Sequence, residues 1–206
     1  MRKLMGVLIV VMLLFSAAMA EYDSEITFQG VPWLSDDETV ARSLIEAGFL
    51  RNGTKVDLNH ENVSYLLENE VGFFSPDRIY GADEVTFTTA LEGSVKGKIA
   101  GYSVKDLIFT FAYDGEYKLI AVNVGLIGCE YTILKEKLTK IYGEAETVET
   151  EEGIISNVWK GLNNSAILLI TYSEGLDYTL MYGRLDAADI LSQCLAAPDP
   201  DDVSGL

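Results

Sequence analysis

Nucleophilic catalysis in this chain would have to use a single histidine. His60 is the only histidine, and Cys129 and Cys194 are the only cysteines. A Ser-His-Asp or Cys-His site needs a histidine as its general base. His60 lies in the polar stretch 58–62, where a solvated histidine is ordinary. We therefore predict no catalytic residue of this type.

Paired carboxylates are the other route to hydrolysis, because one acts as acid and the other as base or nucleophile. With 32 acidic residues some pair lies at a suitable distance by chance, and the sequence singles out none. The acidic run 144–152 is typical of a solvated loop, and its alternative is weak attraction of divalent ions. The aspartates at 199–202 lack the glycine and terminal glutamate of a calcium loop. We predict no metal site and no cofactor.

Aromatic residues are the remaining candidates for a functional surface. The chain has 11 tyrosines, and tyrosine and tryptophan bury a large area at small entropic cost. Tyr102, Tyr113, Trp159 and Tyr178 fall in or beside predicted strands. Together on one sheet face they would suit a protein or glycan ligand. The alternative is that these rings straddle the edge of the core.

The first 20 residues have the parts of a secretory signal peptide. Arg2 and Lys3 form a positive head, residues 4–15 form an apolar run, and residues 16–20 end in a small-x-small pattern. Cleavage would leave Glu21 first and place the protein outside the cell, secreted or at the envelope exterior. A membrane-spanning helix needs roughly 20 apolar residues, so we predict no span in the mature chain. The alternative is an uncleaved N-terminal anchor.

A location outside the cell bears on the oxidation state of the two cysteines. An even pair in an oxidising compartment predicts a disulfide. A bridge between Cys129 and Cys194 would close a loop of roughly 65 residues and stabilise the fold by ~4 kcal/mol on the chain-entropy account. The alternative is two buried free thiols, which are common in protein cores.

The charge of the chain limits its partners. Residues 1–20 hold two of the 15 basic and none of the 32 acidic residues, so the formal charge of −17 becomes −19 in the mature chain. Such a surface repels nucleic-acid phosphates. We predict no nucleic-acid partner, while cationic partners and divalent ions remain open. The simpler explanation is that the charge keeps an exported protein soluble.

Hydrophobic periodicity predicts three helices and at least seven strands. The helices are expected at residues 36–47, near 130–142 and from 186 onward. Ser35 and Glu38 match a capping box at the first of them. A weaker helical pattern begins near residue 59. Strands are expected near residues 84–91, 95–103, 107–113, 119–127, 154–160, 165–172 and 177–183.

This order predicts an α+β fold in which helices pack on one face of an antiparallel sheet. Asp114 and Gly115 form a strong hairpin signal between two apolar strands. Residues 21–195 are expected to form one domain, and residues 196–206 a disordered acidic tail. Two similar halves, 21–127 and 128–195, each with a helix followed by strands, are an alternative description of the same order.

Two short patches resemble small, uncharacterised exported proteins of Gram-positive gut bacteria. Residues 28–33 resemble their sequence pattern "F-x-G-I-P-W-G-S", with Leu34 where that pattern has glycine. Residues 131–144 resemble their second signature. The helix-then-strands layout is similar to that of the β-lactamase inhibitor protein and the outer-membrane assembly lipoprotein BamE. Both are binding modules, so the resemblance implies a binding function, and it carries over no partner-binding residue.

These observations favour an exported, non-catalytic binding protein. Its partner would be a protein or a cell-wall glycan. Two alternatives stay open, an extracellular hydrolase that uses a carboxylate pair and an inhibitor of a secreted hydrolase.

Overall fold

The computed structural model of the protein describes residues 22–50, 55–58, 63–65, 81–88, 95–150, 153–172 and 177–196. The predicted signal peptide, His60 and the tail beyond residue 196 lie outside these ranges. What the sequence indicates for those parts of the chain stays a prediction.

Three helices occur in the described ranges, and local sequence signals bound them. They are α1 (Asp37–Glu46), α2 (Tyr131–Tyr142) and α3 (Ala187–Ala196). The N-cap of α1 is Asp36 rather than the predicted Ser35, because the Asp36 carboxylate accepts the Thr39 N–H at 2.7 Å. Helix α2 ends at Gly143, whose φ of +85° suits a residue without a Cβ.

The strands pair antiparallel throughout the described residues. They are β1 (Lys55–Leu58), β2 (Val63–Tyr65), β3 (Gly81–Thr88), β4 (Lys98–Ile99), β5 (Tyr102–Tyr113), β6 (Tyr117–Leu126), β7 (Glu146–Glu149), β8 (Ile154–Lys160), β9 (Ser165–Tyr172) and β10 (Asp177–Arg184). The sheet order is β2-β1-β3-β5-β6-β10-β9-β8-β7, and β4 pairs with β5 beside it. The α+β class with an antiparallel sheet is therefore confirmed.

Two local predictions are wrong. The weak helical pattern near residue 59 covers β2, which pairs with β1. Part of the acidic run expected to be a loop is β7, which pairs with β8 at the edge of the sheet. In both places, pairing with the next strand along the chain overrides a weak local preference.

The β5–β6 hairpin lies in the middle of the sheet and buries both of its faces. Alternate residues belong to two separate apolar clusters, as strand geometry requires. The first-face cluster includes Phe28, Leu44, Leu107, Phe109, Phe111, Leu134, Trp159 and Tyr182. The second-face cluster includes Ala112, Ile120, Val158, Leu168, Ile170, Met181, Ala187 and Cys194.

The helices divide between these two clusters. Leu44 of α1 and Leu134 of α2 pack in the first-face cluster, and Ala187 and Cys194 of α3 pack in the second-face cluster. The prediction that all helices pack on one face therefore does not hold for α3, which packs on the other face. Each cluster takes residues from both of the proposed halves, so the described parts of the two halves share one pair of cores.

The same division shows that the predicted disulfide is wrong. Cys129 and Cys194 are both free thiols. Cys194 is buried in the second-face cluster, whereas Cys129 packs beside the first-face cluster. Because the sheet separates them, no bridge joins the two cysteines.

Candidate functional site

A cavity of about 420 Å³ lies where β5 and β10 begin and β6 ends. Pockets that hold small ligands have volumes of about 300–1,000 Å³. Its charged and polar lining comes from Lys105, Asp106, Asn123, Cys129, Tyr178 and Thr179. Ile108, Val124 and Leu126 are the apolar lining residues, and Val124 and Leu126 pack with the first-face cluster. The mixture of apolar wall and few polar groups is what binding pockets generally have.

A β-bulge and a glycine create the floor of this cavity. The β5–β6 register shifts between Val104 and Asp106, which leaves Lys105 as the extra residue. Beyond the bulge Asp106 pairs with Gly125 on β6. Without a side chain at Gly125, the sheet has a hollow there, and the Asp106 carboxylate lies over it. Bulges commonly redirect a side chain next to a functional site.

The carboxylate of Asp106 forms a weak ion pair among the described residues. Its Oδ2 lies 3.9 Å from Lys105 Nζ, the ion pair that the structure gives it among the described residues. The Lys105 side chain is 70% exposed and the Asp106 side chain 35% exposed. An exposed pair at this distance contributes little to stability. The carboxylate is therefore available to a second cation at the cavity.

Asn123 places a second acceptor on the same wall. It pairs with Ile108 on one side and Met181 on the other, in the next row of the sheet from Asp106. Its Oδ1 is inaccessible to solvent and has no hydrogen-bond partner among the described residues. Leaving such an acceptor unpaired costs about 1–3 kcal/mol.

Two tyrosines and a thiol form the first-face side of the site. Tyr178 lines the cavity beside Cys129. Burial, followed by the Cys129 thiol, raises the pKa of the Tyr178 phenol, so the ring stays neutral at physiological pH. Partial burial and the same thiol raise the pKa of Tyr102. Of these two tyrosines, Tyr178 lines the cavity, and its hydroxyl oxygen is inaccessible to solvent.

Tyr102 is anchored from helix α2. Lys137 Nζ lies 4.5 Å from the centre of the Tyr102 ring and donates to the Ala100 carbonyl at 2.6 Å. Both contacts bring the end of β5 against α2. A cation over an aromatic face contributes about 0.5–1 kcal/mol at an exposed position.

The four aromatic residues singled out from the sequence separate into two pairs. Tyr102 and Tyr178 meet at Cys129 beside the cavity. Trp159 is 1% exposed and donates from Nε1 to the Gly143 carbonyl at 2.9 Å. Tyr113 is 7% exposed and packs on Tyr117, with ring centres 4.8 Å apart. The second pair belongs to the core and offers no free ring face to a ligand.

Sequence reasoning missed Asp106, Asn123 and Gly125. Asp106 interrupts an alternating apolar run, and Asn123 and Gly125 stand inside the run of the next strand. A polar residue and a glycine within a central strand are signals of a bulge or a close backbone approach. Only the cross-strand register shows that these three residues share one wall.

Two kinds of feature, a metal-binding cluster and a membrane-spanning helix, are not found among the described residues. No three His, Cys, Asp or Glu side chains in those ranges come together as a metal site would require. Within the same ranges, no helix combines the length and the apolar character needed to cross a membrane.

Comparison with known proteins identifies no relative of this chain. No family model, curated protein or solved structure matches the chain.

Proposed function

We propose that this chain is an exported, non-catalytic binding protein and that its ligand site is the cavity of β5, β6 and β10. One observation carries the proposal: the cavity has the volume of a ligand pocket, about 420 Å³, and combines charged, polar and apolar lining residues.

The lining argues for binding rather than for hydrolysis. Among the described residues, Asp106 is the one carboxylate that lines the cavity. A glycosidase needs two carboxyl groups, roughly 5–9.5 Å apart. Cys129 has no histidine beside it in the lining, and a thiol without a base is a poor nucleophile. The inhibitor hypothesis differs from this proposal only in the identity of the partner.

Location outside the cell is the second part of the proposal. It rests on the signal-peptide pattern of residues 1–20 and on the acidic composition. Expressing the full chain in an exporting host and measuring the intact mass tests this part. A secreted product that begins at Glu21 supports export, and a full-length product retained with lipid overturns it.

The cavity is tested by blocking it. Thr179 lines the cavity and is not fully buried, so Thr179→Tyr places a ring in the cavity without creating a charge. Thr132→Tyr makes the same change at an exposed position on α2. Each protein is screened by ligand-observed NMR against a panel of amines, carboxylates, sugars and cell-wall glycan fragments.

The proposal predicts at least one compound class that binds wild type and the Thr132→Tyr variant but not the Thr179→Tyr variant. Thermal unfolding of all three proteins checks that the fold is retained. Equal binding to the three proteins, or no binding to any of them, overturns the cavity as the ligand site.

A further inference from the structure

We propose that the outer edge of β7 is an interaction surface that adds an extended, basic segment of a partner protein to the sheet as a further strand. The surface consists of the backbone groups of Thr147 and Glu149 and the Glu149 carboxylate. Strands β9 and β8 separate β7 from β10, so this surface lies apart from the cavity. It does not depend on the function proposed for the cavity.

The turn that follows β7 fixes the hydrogen-bonding pattern of the strand. Thr150 N donates to the Ile154 carbonyl at 2.9 Å, and the Thr150 carbonyl accepts from Gly153 N at 2.9 Å. Both backbone groups of Thr150 are therefore directed toward the chain that continues into β8. In an antiparallel pair, residues that exchange such bonds alternate with residues that do not.

This alternation identifies the backbone groups of β7 that face away from the sheet. Val148 and Glu146 bond to β8 as Thr150 does, because residues two apart bond to the same neighbour. Thr147 and Glu149 direct their N–H and C=O groups to the other side, where no further strand of the described residues pairs with them. Both residues are exposed. An added strand bonds to a sheet edge through groups with this spacing.

Strand β7 is held in place on both faces of the sheet. On the first face, Thr147 Oγ1 donates to Asn157 Oδ1 at 3.0 Å, and Asn157 Nδ2 donates to the Tyr131 hydroxyl at 2.6 Å. On the second face, Glu146 Oε2 lies 2.7 Å from Lys160 Nζ, and both side chains are largely buried. An edge that is already ordered loses little further entropy when a partner binds.

The charge of this edge selects a basic partner. Residues 144–152 contain five glutamates and no lysine or arginine. Glu149 is exposed, and no ion pair of the described residues includes it. Opposite charges on directly opposed residues stabilise an antiparallel pair. A lysine or arginine opposite Glu149 is therefore favoured in the added strand.

The same charge argues against a second copy of this chain as the occupant. Two β7 edges paired with each other would bring two acidic segments together, and the full chain has a formal net charge of −17. Charged residues on an edge strand commonly prevent self-pairing. A basic segment meets no such repulsion, and the field of the acidic protein attracts it.

Hydrogen exchange at single amides tests the proposal. The probe is the basic peptide acetyl-TKVTKT-amide, added to the isotope-labelled full chain and followed by NMR. Exchange of the Thr147 and Glu149 amides should slow at least about tenfold at saturating peptide, because a hydrogen-bonded amide exchanges only when it opens. Binding without slower exchange at these two amides would overturn the proposal, as would no binding at millimolar peptide.

Modified peptides separate strand pairing from charge. Nα-methyl groups are placed in turn on each of the two alternate sets of peptide residues. One set should weaken binding at least about tenfold, because it removes the donors that face β7, and the other set should have little effect. The acidic peptide acetyl-TEVTET-amide should not bind. Equal affinities of the unmethylated peptide and both methylated peptides would overturn strand addition, and equal affinities of the basic and acidic peptides would overturn the choice of a basic partner.

Variants at residue 147 give a matched comparison. Thr147→Pro removes the outward N–H, and edge strands tolerate proline at such positions. Thr147→Ala removes the same hydroxyl and keeps the N–H. Peptide affinity should fall about tenfold more in the proline variant than in the alanine variant. Protection of the Val148 amide shows whether β7 stays paired with β8. Equal affinities with that protection intact would overturn the proposal, and where it is lost the methylated peptides decide.

Charge reversal tests the role of Glu149. Glu149→Lys should weaken binding of the basic peptide at least about fivefold, since an opposed pair of unlike charges becomes a pair of like charges. Glu116→Lys makes the same change at the exposed turn between β5 and β6, which β10, β9 and β8 separate from β7. It should have the smaller effect. Equal losses in the two variants would assign the attraction to net charge and overturn the role of Glu149.

Two further outcomes distinguish this surface from other sites. Thr179→Tyr blocks the cavity, so a peptide that no longer binds this variant would occupy the cavity, and the β7 proposal would fail. A free chain that is dimeric, with the Thr147 and Glu149 amides already protected, would identify a second copy as the occupant and overturn the basic partner. Peptide binding to β7 without any cavity ligand would leave this proposal standing while the cavity proposal fails.

Discussion

The carboxylate of Asp106 occupies the space that a side chain at Gly125 would need. A Cβ added at Gly125 would lie 2.3 Å from Asp106 Oδ1 and 2.7 Å from its Cγ. The two residues face each other across β5 and β6, immediately after the bulge at Lys105. The glycine, the bulge and the carboxylate are thus one structural unit that forms the cavity floor.

Gly125→Ala should destabilise the protein by about 0.5–1.5 kcal/mol, because the partly exposed Asp106 side chain must leave its rotamer to make room for the methyl group. Gly125 lies in an extended strand, where alanine is otherwise the more favourable residue, so the loss would come from the contact. Urea unfolding measures the change.

The matched test is the same substitution in an Asp106→Ala background. Without the carboxylate atoms, Gly125→Ala should become close to neutral. An equal loss in both backgrounds would show that backbone packing, rather than Asp106, requires the glycine.

Both cysteines should be free in the folded protein and should differ in reactivity. Cys194 is 2% exposed, and burial, followed by the Asp114 carboxylate, raises the pKa of its thiol. A raised pKa lowers the thiolate fraction, and the thiolate is the reactive form. Cys129 is partly exposed. Iodoacetamide should therefore label Cys129 first, as followed by intact mass.

Denaturation without reductant completes this experiment. Two labels per chain are expected, and Cys129→Ser should remove the fast one. A chain that takes up label only after reduction would contain a disulfide and contradict the placement of the cysteines on opposite faces.

Much of the sheet was predictable because its signals are local. Asp114 and Gly115 form the turn of the β5–β6 hairpin, and Gly115 has a φ of +110°. The alternating or continuous apolar runs predicted at 154–160, 165–172 and 177–183 coincide with β8, β9 and β10 within a residue. Period and turn chemistry suffice for such elements.

The candidate site was not predictable, since it depends on register. Asp106 and Asn123 are 17 positions apart and meet only because the bulge at Lys105 shifts the pairing of β5 with β6. Edge strand β7 shows the same limit. Glu146 lies in the acidic run that the sequence predicts to be a loop, yet its Oε2 lies 2.7 Å from Nζ of Lys160 on β8. Neither partner is evident from neighbouring sequence.

High pH should destabilise the protein through Tyr182. This ring is 6% exposed and packs edge-to-face on Phe28, with ring centres 5.4 Å apart. Burial, followed by the neighbouring Tyr142, raises the pKa of Tyr182 far above its ordinary value of 10.0. The unfolded chain therefore deprotonates at this position first. The stabilisation is complete below about pH 10 and is lost as pH rises further.

Tyr182→Phe keeps the ring contact and removes the ionisable group. The free energy of unfolding of wild type should fall more between pH 8 and pH 11 than that of the variant, as measured by urea unfolding at each pH. Parallel losses in the two proteins would assign the alkaline sensitivity to other groups.

Leu34 adopts a backbone conformation that favours glycine, and this gives the last prediction. Its φ is +66°, and its side chain is 42% exposed. Hydrogen bonds to β6 impose this geometry, because Leu34 N donates to the Leu119 carbonyl at 3.0 Å and Leu119 N donates to the Ser35 carbonyl at 2.9 Å.

Leu34→Gly should be more stable than Leu34→Ala by about 1 kcal/mol, since only glycine adopts positive φ without a steric penalty. The exposed residue Glu136, in the middle of α2, provides the matched comparison. There the alanine variant should exceed the glycine variant by about 1 kcal/mol. Chemical unfolding of the four variants measures both differences. The same order at both positions would mean that residue 34 relaxes out of the left-handed region and that its pairing with β6 does not hold it there.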